Sequence, residues 1–457
     1  MAVDMKYQKV IKYLVKATCA QPLHIGSASG DKEEVLVHPA DDRPFIQASS
    51  LSGVLRQYCE KLHGQEQAGS LFGARRLEEG ENSSDKASKV RFSDGIFSDE
   101  GLILELRPRL KINQETGTCD DSMIRGTDMR SGHKFNMEYI GAGAEFEFSV
   151  YLFDESWQKE LEETLAAVHQ EGVQLGGQKS NGCGFLNLKS LNRKIFDLSQ
   201  REERRKWADE DILPENEYED ILSHIKTPQR TVMAYEVMVE GSTEGELLVK
   251  SIAVQDYGKD APDSMNIRDA AKQYIVPGSS LKGALRSQME KIASYIDSPR
   301  IIDETFGTAG NSQNGGRAGN IVFYDTVVGN REDNDLARAR NRIHIDKFTG
   351  GVMHGALFNE KNVSGAVHFR IVIYDRNTPD STCGLLLMAL RDMAIGMMSI
   401  GGGFHVGKGI IDVDRIVVCD CINKKEAVIG LKTGKITDEY GIVARCMKAV
   451  QPEKEAV

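Results

Sequence analysis

The chain has 457 residues, more than one ordinary core organises, so two domains with insertions are expected. Its formal charge of −11 excludes nucleic-acid binding by a bulk positive field, so any such contact must come from local patterns of Lys and Arg. No apolar run reaches the roughly 18 residues of a membrane span; a cytoplasmic protein without membrane contact is expected.

In chain order, Lys9-Val10-Ile11-Lys12-Tyr13-Leu14-Val15-Lys16 reads as an opening β-strand, followed by an acidic loop holding Asp31, Glu33 and Glu34. Ser49-Ser50-Leu51-Ser52-Gly53-Val54-Leu55-Arg56 opens a helix, and Leu71-Phe72-Gly73 closes that region on a turn. Val90-Arg91-Phe92-Ser93-Asp94 is a second strand. In the next strand Arg107, Arg109 and Lys111 alternate, so they share one face. That face either pairs with phosphates or carries solvated salt bridges. Residues 120–139 hold Met129, Phe135, Met137 and Tyr139. Ala144–Val150 alternates as a strand, and Trp157–Val168 reads as a helix. Gly176–Gly184, with Lys179, forms a Gly-rich loop without a P-loop ending. The charge-dense stretch from Arg201 to Asp220 reads as a solvated helical connector.

The same blocks then recur in order. Ser279-Ser280-Leu281-Lys282-Gly283-Ala284-Leu285-Arg286 repeats the helix start, and Thr305-Phe306-Gly307 repeats the turn. Ile321-Val322-Phe323-Tyr324-Asp325 repeats the strand, and Arg340-Asn341-Arg342-Ile343-His344-Ile345-Asp346 repeats the cationic strand. Gly401–Gly409, with His405 and Lys408, repeats the Gly-rich loop. Five blocks in one order establish a duplication of whole domains, since the period is far longer than a solenoid repeat. Residues 1–192 are the first domain, 193–228 the connector and 229–457 the second. Leu281, Ala284, Leu285, Met289 and Ile292 fall at helical spacing, and Leu385–Met398 is a largely apolar helix. The order fits an α+β fold of two tandem β-α-β-β-α-β sandwiches, each of one sheet and two helices with a Gly-rich loop. Eight scattered cysteines with no C-x-x-C pair read as free thiols.

The Pro277–Arg286 helix start, the Phe-Gly turn, the strand ending in Asp, the alternating Arg strand ending in Thr349-Gly350 and the late Gly-rich loop together resemble the RAMP superfamily of CRISPR-associated proteins. Within it they are similar to the Cas-seven-type backbone subunits of type III (Csm/Cmr-like) effector complexes, here in tandem. The resemblance implies that each copy is a ferredoxin-like (RRM-type) domain with an inserted hairpin. It implies a cytoplasmic subunit that binds CRISPR guide RNA and complementary target RNA beside other type III effector subunits. It implies that the hairpin wedges into the guide–target duplex, in the first copy at residues 120–139 and in the second near Val352–Val363 with Met353 and Phe358. It also implies an acidic residue after the first strand that cuts target RNA with a divalent metal, Mg2+ being the expectation.

That acidic position falls on Asp263, which is also the implied metal ligand, with Asp260 as fallback; Pro262-Asp263-Ser264 is equally turn chemistry. In the first copy the position falls on Glu33, with Asp31 two residues away, and an exposed acidic loop is the competing reading. The RNA-binding set comprises Ser50, Arg56, Arg107, Arg109, Lys111 and Lys179 in the first copy. In the second it comprises Ser280, Lys282, Arg286, Arg340, Arg342, His344 and Lys408. Ser50 and Ser280 mark helix starts whose N–H groups suit anions, or are ordinarily capped. His24 and His405 are weaker general-base candidates. Two alternatives stand beside the endonuclease: a non-catalytic guide-RNA scaffold, and a small-molecule enzyme on a duplicated ferredoxin-like fold.

Overall fold

The computed structural model describes residues 8–26, 34–73, 87–109, 135–225, 232–251, 262–308, 316–329 and 337–450. Contacts divide the chain into two units. The first is Met1–Leu104, Tyr139–Lys179 and Cys183–Thr231; the second is Glu105–Glu138, Ser180–Gly182 and Val232–Val457.

The first unit is built on β1 (Lys9–Cys19), α1 (Ala48–His63), β2 (Val90–Phe92), β3 (Glu145–Leu152), α2 (Gln158–Glu171) and β4 (Phe185–Asp197). Their antiparallel order is β4-β1-β3-β2, the ferredoxin-like arrangement. In β3 the alternation places Phe146, Phe148, Val150 and Leu152 in the core and leaves Glu145 and Glu147 outside. Leu51 and Leu55 of α1, with Leu161 and Leu165 of α2, supply the helical side of the core. The charged stretch after β4 is more than a solvated face. Its helix Arg201–Ala208 sets Trp207 edge-on against Phe196, ring centres 5.2 Å apart, and Lys12 pairs with Glu210 beneath it. Glu219–Asp220 then adds a short strand to β4.

The second unit repeats the plan with β5 (Met233–Glu244), α3 (Gly278–Tyr295), β6 (Ile321–Phe323), β7 (Ala337–Ile345), β8 (Val352–Val363), β9 (Ala366–Tyr374), α4 (Pro379–Ala394) and β10 (Ile410–Asp420). The sheet order β10-β5-β9-β6 reproduces that of the first unit. Leu281, Leu285 and Met289 of α3 are buried at helical spacing, as predicted, against Val237, Phe369 and Ile371 of the sheet. Helix α4 begins before the apolar run because Pro379 suits a first helical turn, and it ends short of Met398 before Gly396 at φ +74°. Two α+β sandwiches of one sheet and two helices are therefore present in tandem. Each places its insertions after the first strand and before the third.

Both Gly-rich loops have a local structural reason. Gly184 (φ +76°) and Gly409 (φ +78°) occupy equivalent places, and a Cβ there would lie 1.8 Å and 2.1 Å from the carbonyl oxygens of Leu175 and Ile400. These glycines admit the protein's own backbone, not a phosphate. The described cysteines are free thiols, and no described helix is long and apolar enough to cross a membrane.

Candidate nucleic-acid interface

The insertion before β9 forms the hairpin β7–β8. Its turn is closed by Asp346, whose Oδ1 accepts from the N–H groups of Phe348 (2.9 Å) and Thr349 (2.8 Å). A hairpin that returned to its own core would bury its large side chains. This one leaves Phe348 98% exposed and Met353 and Phe358 about half exposed, with Ile343, Ile345 and Leu357 also open.

Asp263 sits beside this hairpin. Immediately after it, Ser264–Met265 pairs in parallel with Glu360–Lys361 of β8. The exposed carboxylate accepts from the backbone N–H of Asn359 through Oδ2 at 2.6 Å, one residue from Phe358. Two candidates from distant parts of the sequence, an acid and a wedge, thus share one strand. Asp269, nearby, is structural: its Oδ1 accepts from Gln273 N at 2.7 Å, and burial raises its pKa.

The cations of the second copy divide by use. Arg340 is exposed and pairs with Glu246 (2.6 Å); Arg342 is half-buried and pairs with Glu360 (3.2 Å); His344 is exposed. Burial raises the Glu246 pKa, but Arg340 and then Asn362 and Lys408 outweigh it and hold the carboxylate below its usual range. Lys408 is corrected as a phosphate contact. It is 3% exposed, and its ammonium donates to Glu360 Oε2 (2.6 Å) and Asn362 Oδ1 (2.9 Å). A cation spent on internal acceptors has little left for RNA.

At the helix starts an unforeseen acid does the capping. The Ala48 N–H donates to Asp94 Oδ1 (2.7 Å) and the Gly278 N–H to Asp325 Oδ1 (2.8 Å). The N–H groups of Ser50 and Ser280 donate to the carbonyls of Gln47 and Pro277. Capping is therefore internal, and the recurring Asp that closes each V-x-F-x-D block was its signal in the sequence. Arg107 is likewise corrected. It shares a face with Arg109 as predicted, and with Glu105, but it is buried, with Nε 2.7 Å from Glu105 and Nη1 2.5 Å from Asp325.

Lys282 behaves differently. It has no carboxylate partner among the described residues, and its ammonium donates to Ser180 Oγ at 2.7 Å. Burial, then the charges of Arg286 and Arg109, lowers its pKa to about 8. Lys282 is thus a buried cation with two further cations beside it, each of which disfavours its charged form. Arg286 also pairs with Glu290 and lies over the Phe306 ring, 5.2 Å from its centre.

In the first unit, Arg56 is half-buried and pairs with Glu60 (3.2 Å), and Lys179 lies in a single 3-10 turn whose carbonyl accepts from Gln174 Nε2. His24 is buried against Tyr139, and His405 is exposed. Met137 and Tyr139 are buried, which removes them as wedge residues of the first copy. Asp31, Glu33, Lys111, Met129 and Asp260 lie outside the described residues, as does the side chain of Phe135. Among the described residues no three His, Cys, Asp or Glu side chains gather as a metal site.

Fold and site define a protein of two ferredoxin-like domains, the second carrying an exposed cationic hairpin beside a carboxylate. The chain belongs to the RAMP superfamily, whose family model matches residues 16–187 and 258–412. The search among curated proteins gives no match. Among solved structures, a chain in the cryo-EM structure of the type III-B Cmr-beta bound to cognate target RNA is similar, at 18% identity and a TM-score of 0.32. That similarity covers 40% of this chain and 61% of the other.

Proposed function

We propose that the chain is a cytoplasmic backbone subunit of a type III CRISPR interference complex, which binds guide RNA and cuts guide-paired target RNA at Asp263. The observation that carries this reading is the bond from the Asn359 N–H to Asp263 Oδ2, which fixes a carboxylate one residue from the exposed Phe358. An apolar side chain inserted between base steps unstacks a nucleotide and frees its backbone to adopt the in-line geometry that cleavage needs. The 2′-oxygen then attacks the adjacent phosphorus, the bond to the 5′-oxygen breaks, and that oxygen takes a proton from water, leaving a 2′,3′-cyclic phosphate and a 5′-hydroxyl. In this reading Asp263 Oδ1, without a hydrogen-bond partner among the described residues, accepts the 2′-hydroxyl proton. Lys282, Arg286, Arg109 and, on β7, Arg340 and Arg342 hold phosphates without reading sequence.

The described residues alone do not fit a resident metal. Asp263 offers one free oxygen, and Glu360 is occupied by Arg342 and Lys408. An Mg2+ ion here would take one carboxylate from the chain and its remaining ligands from RNA phosphate and water. The same Asn359 bond favours one further reading, in which Asp263 is only a clip for β8 and the subunit is a guide-RNA scaffold. Asp263→Asn separates the two, because the amide oxygen keeps the clip while the charge and the base are lost. The subunit reading itself is tested by sequencing RNA that co-purifies with the natively expressed complex. Guides of uniform length support it; a bound small metabolite without RNA would replace it with an enzyme on the same fold.

A further inference from the structure

We propose that Lys408 is a positioning residue for the Asp263 site, acting through the base of the hairpin strand β8. The inference rests on the reading of Asp263 given above. Lys408 is buried, and Gly403 wraps its stem so closely that a Cβ at Gly403 would lie 3.0 Å from Lys408 Cδ. Its ammonium holds Glu360 and Asn362, two alternate residues of β8 that share one face. Asn362 passes the link on, its Nδ2 donating to Glu246 Oε2 at 2.8 Å, and Arg340 and Arg342 close the network on the β7 side. Directly before Glu360 stands Asn359, whose N–H holds Asp263, and directly after it Lys361 accepts from the Asn266 N–H at 3.2 Å.

A buried lysine is a costly way to fill space, since an apolar side chain of similar volume commonly serves stability as well or better. What a methionine cannot do is fix two polar side chains at set positions along a strand. Lys408 sets where β8 lies, and β8 sets where the Asp263 carboxylate points. Because Lys408 is shielded from solvent, it exerts this effect without touching RNA.

The test uses the assembled complex, charged with guide and a matching target RNA, carrying Lys408→Met. Single-turnover cutting should fall by about 10–100-fold, the loss expected from a small misplacement of a catalytic group. Target affinity should stay within about twofold, since base pairing and phosphate contacts supply it. Amide hydrogen exchange over residues 357–361 should rise. Glu360→Gln keeps the lysine packed and should shift cutting and exchange the same way by less, which guards against a variant that fails to fold. Unchanged exchange over 357–361 in both variants overturns the proposal, as does a loss of guide binding that parallels the loss of cutting. Should Asp263→Asn cut normally while Lys408→Met still loosens β8, the catalytic reading has failed and the mechanical link stands.

Discussion

Asp325 joins three parts of the second unit through one carboxylate. Oδ1 caps α3 at the Gly278 N–H, and Oδ2 pairs with Arg107, which also binds Glu105. Asp325→Ala therefore loses a cap and one of the two carboxylates on a buried guanidinium, and should cost about 2–4 kcal/mol in a denaturant titration. Glu105 supplies a pH test. Burial raises its pKa, with Arg107 opposing. The folded state then binds the proton more tightly than the unfolded chain, whose Glu titrates near 4.3. The stabilisation is fully present below that value and is lost as pH rises through the folded pKa. In thermal unfolding, Glu105→Gln should lose less stability than the parent as pH rises above the unfolded-chain Glu value of about 4.3.

Lys282 shifts in the opposite sense. Its folded pKa of about 8 lies below the unfolded value, so this group makes folding more favourable as pH rises from about 8 toward 10.4. RNA binding should move the other way. A phosphate prefers the charged lysine, so affinity should fall between pH 7 and 9 as the free protein loses that proton. Fluorescence anisotropy with labelled RNA checks this: the fall should be weaker in Lys282→Met, and an identical pH profile in both would remove Lys282 from the phosphate surface.

At the scale of elements, the hairpin shows what the sequence made legible and what it hid. The alternation of Arg340 and Arg342 marked β7, and Met353 and Phe358 were open as their place in an insertion suggested. In the first copy the same reasoning failed for Met137 and Tyr139, because a period-two pattern tells which residues share a face but not which face meets solvent. The charge pattern had the same blind spot. Lys408 and Arg107 resemble phosphate ligands in sequence, yet Glu360 and Asp325, far off in the chain, had already taken them. Replacing Met353 and Phe358 together by Ser should blur the position of the target cut and spare guide binding, because unstacking rests on those apolar side chains. A sharp cut at the parental nucleotide, read on a sequencing gel, would remove the hairpin as a wedge.

For the whole molecule, duplication was the strongest signal in the sequence, and both sheets carry the same strand order. Repeats expose a fold because each copy checks the other's boundaries; the candidate site gains less, since function can lapse in one copy. The net charge of −11 and local cationic strands are compatible because phosphates respond to the nearest charges, within a Debye length of about 8 Å at physiological salt. In the proposed function one carboxylate cuts while many distributed contacts bind. This division is tested most directly by comparing target-RNA cutting and target affinity in complexes carrying parental Asp263, Asp263→Asn or Asp263→Ala. Both variants should lose one cut by about 10²–10⁴-fold, the usual cost of losing an acid–base group, while guide and target affinities hold or rise slightly. Cutting at every site by Asp263→Asn at the parental rate would contradict it and leave the subunit a scaffold.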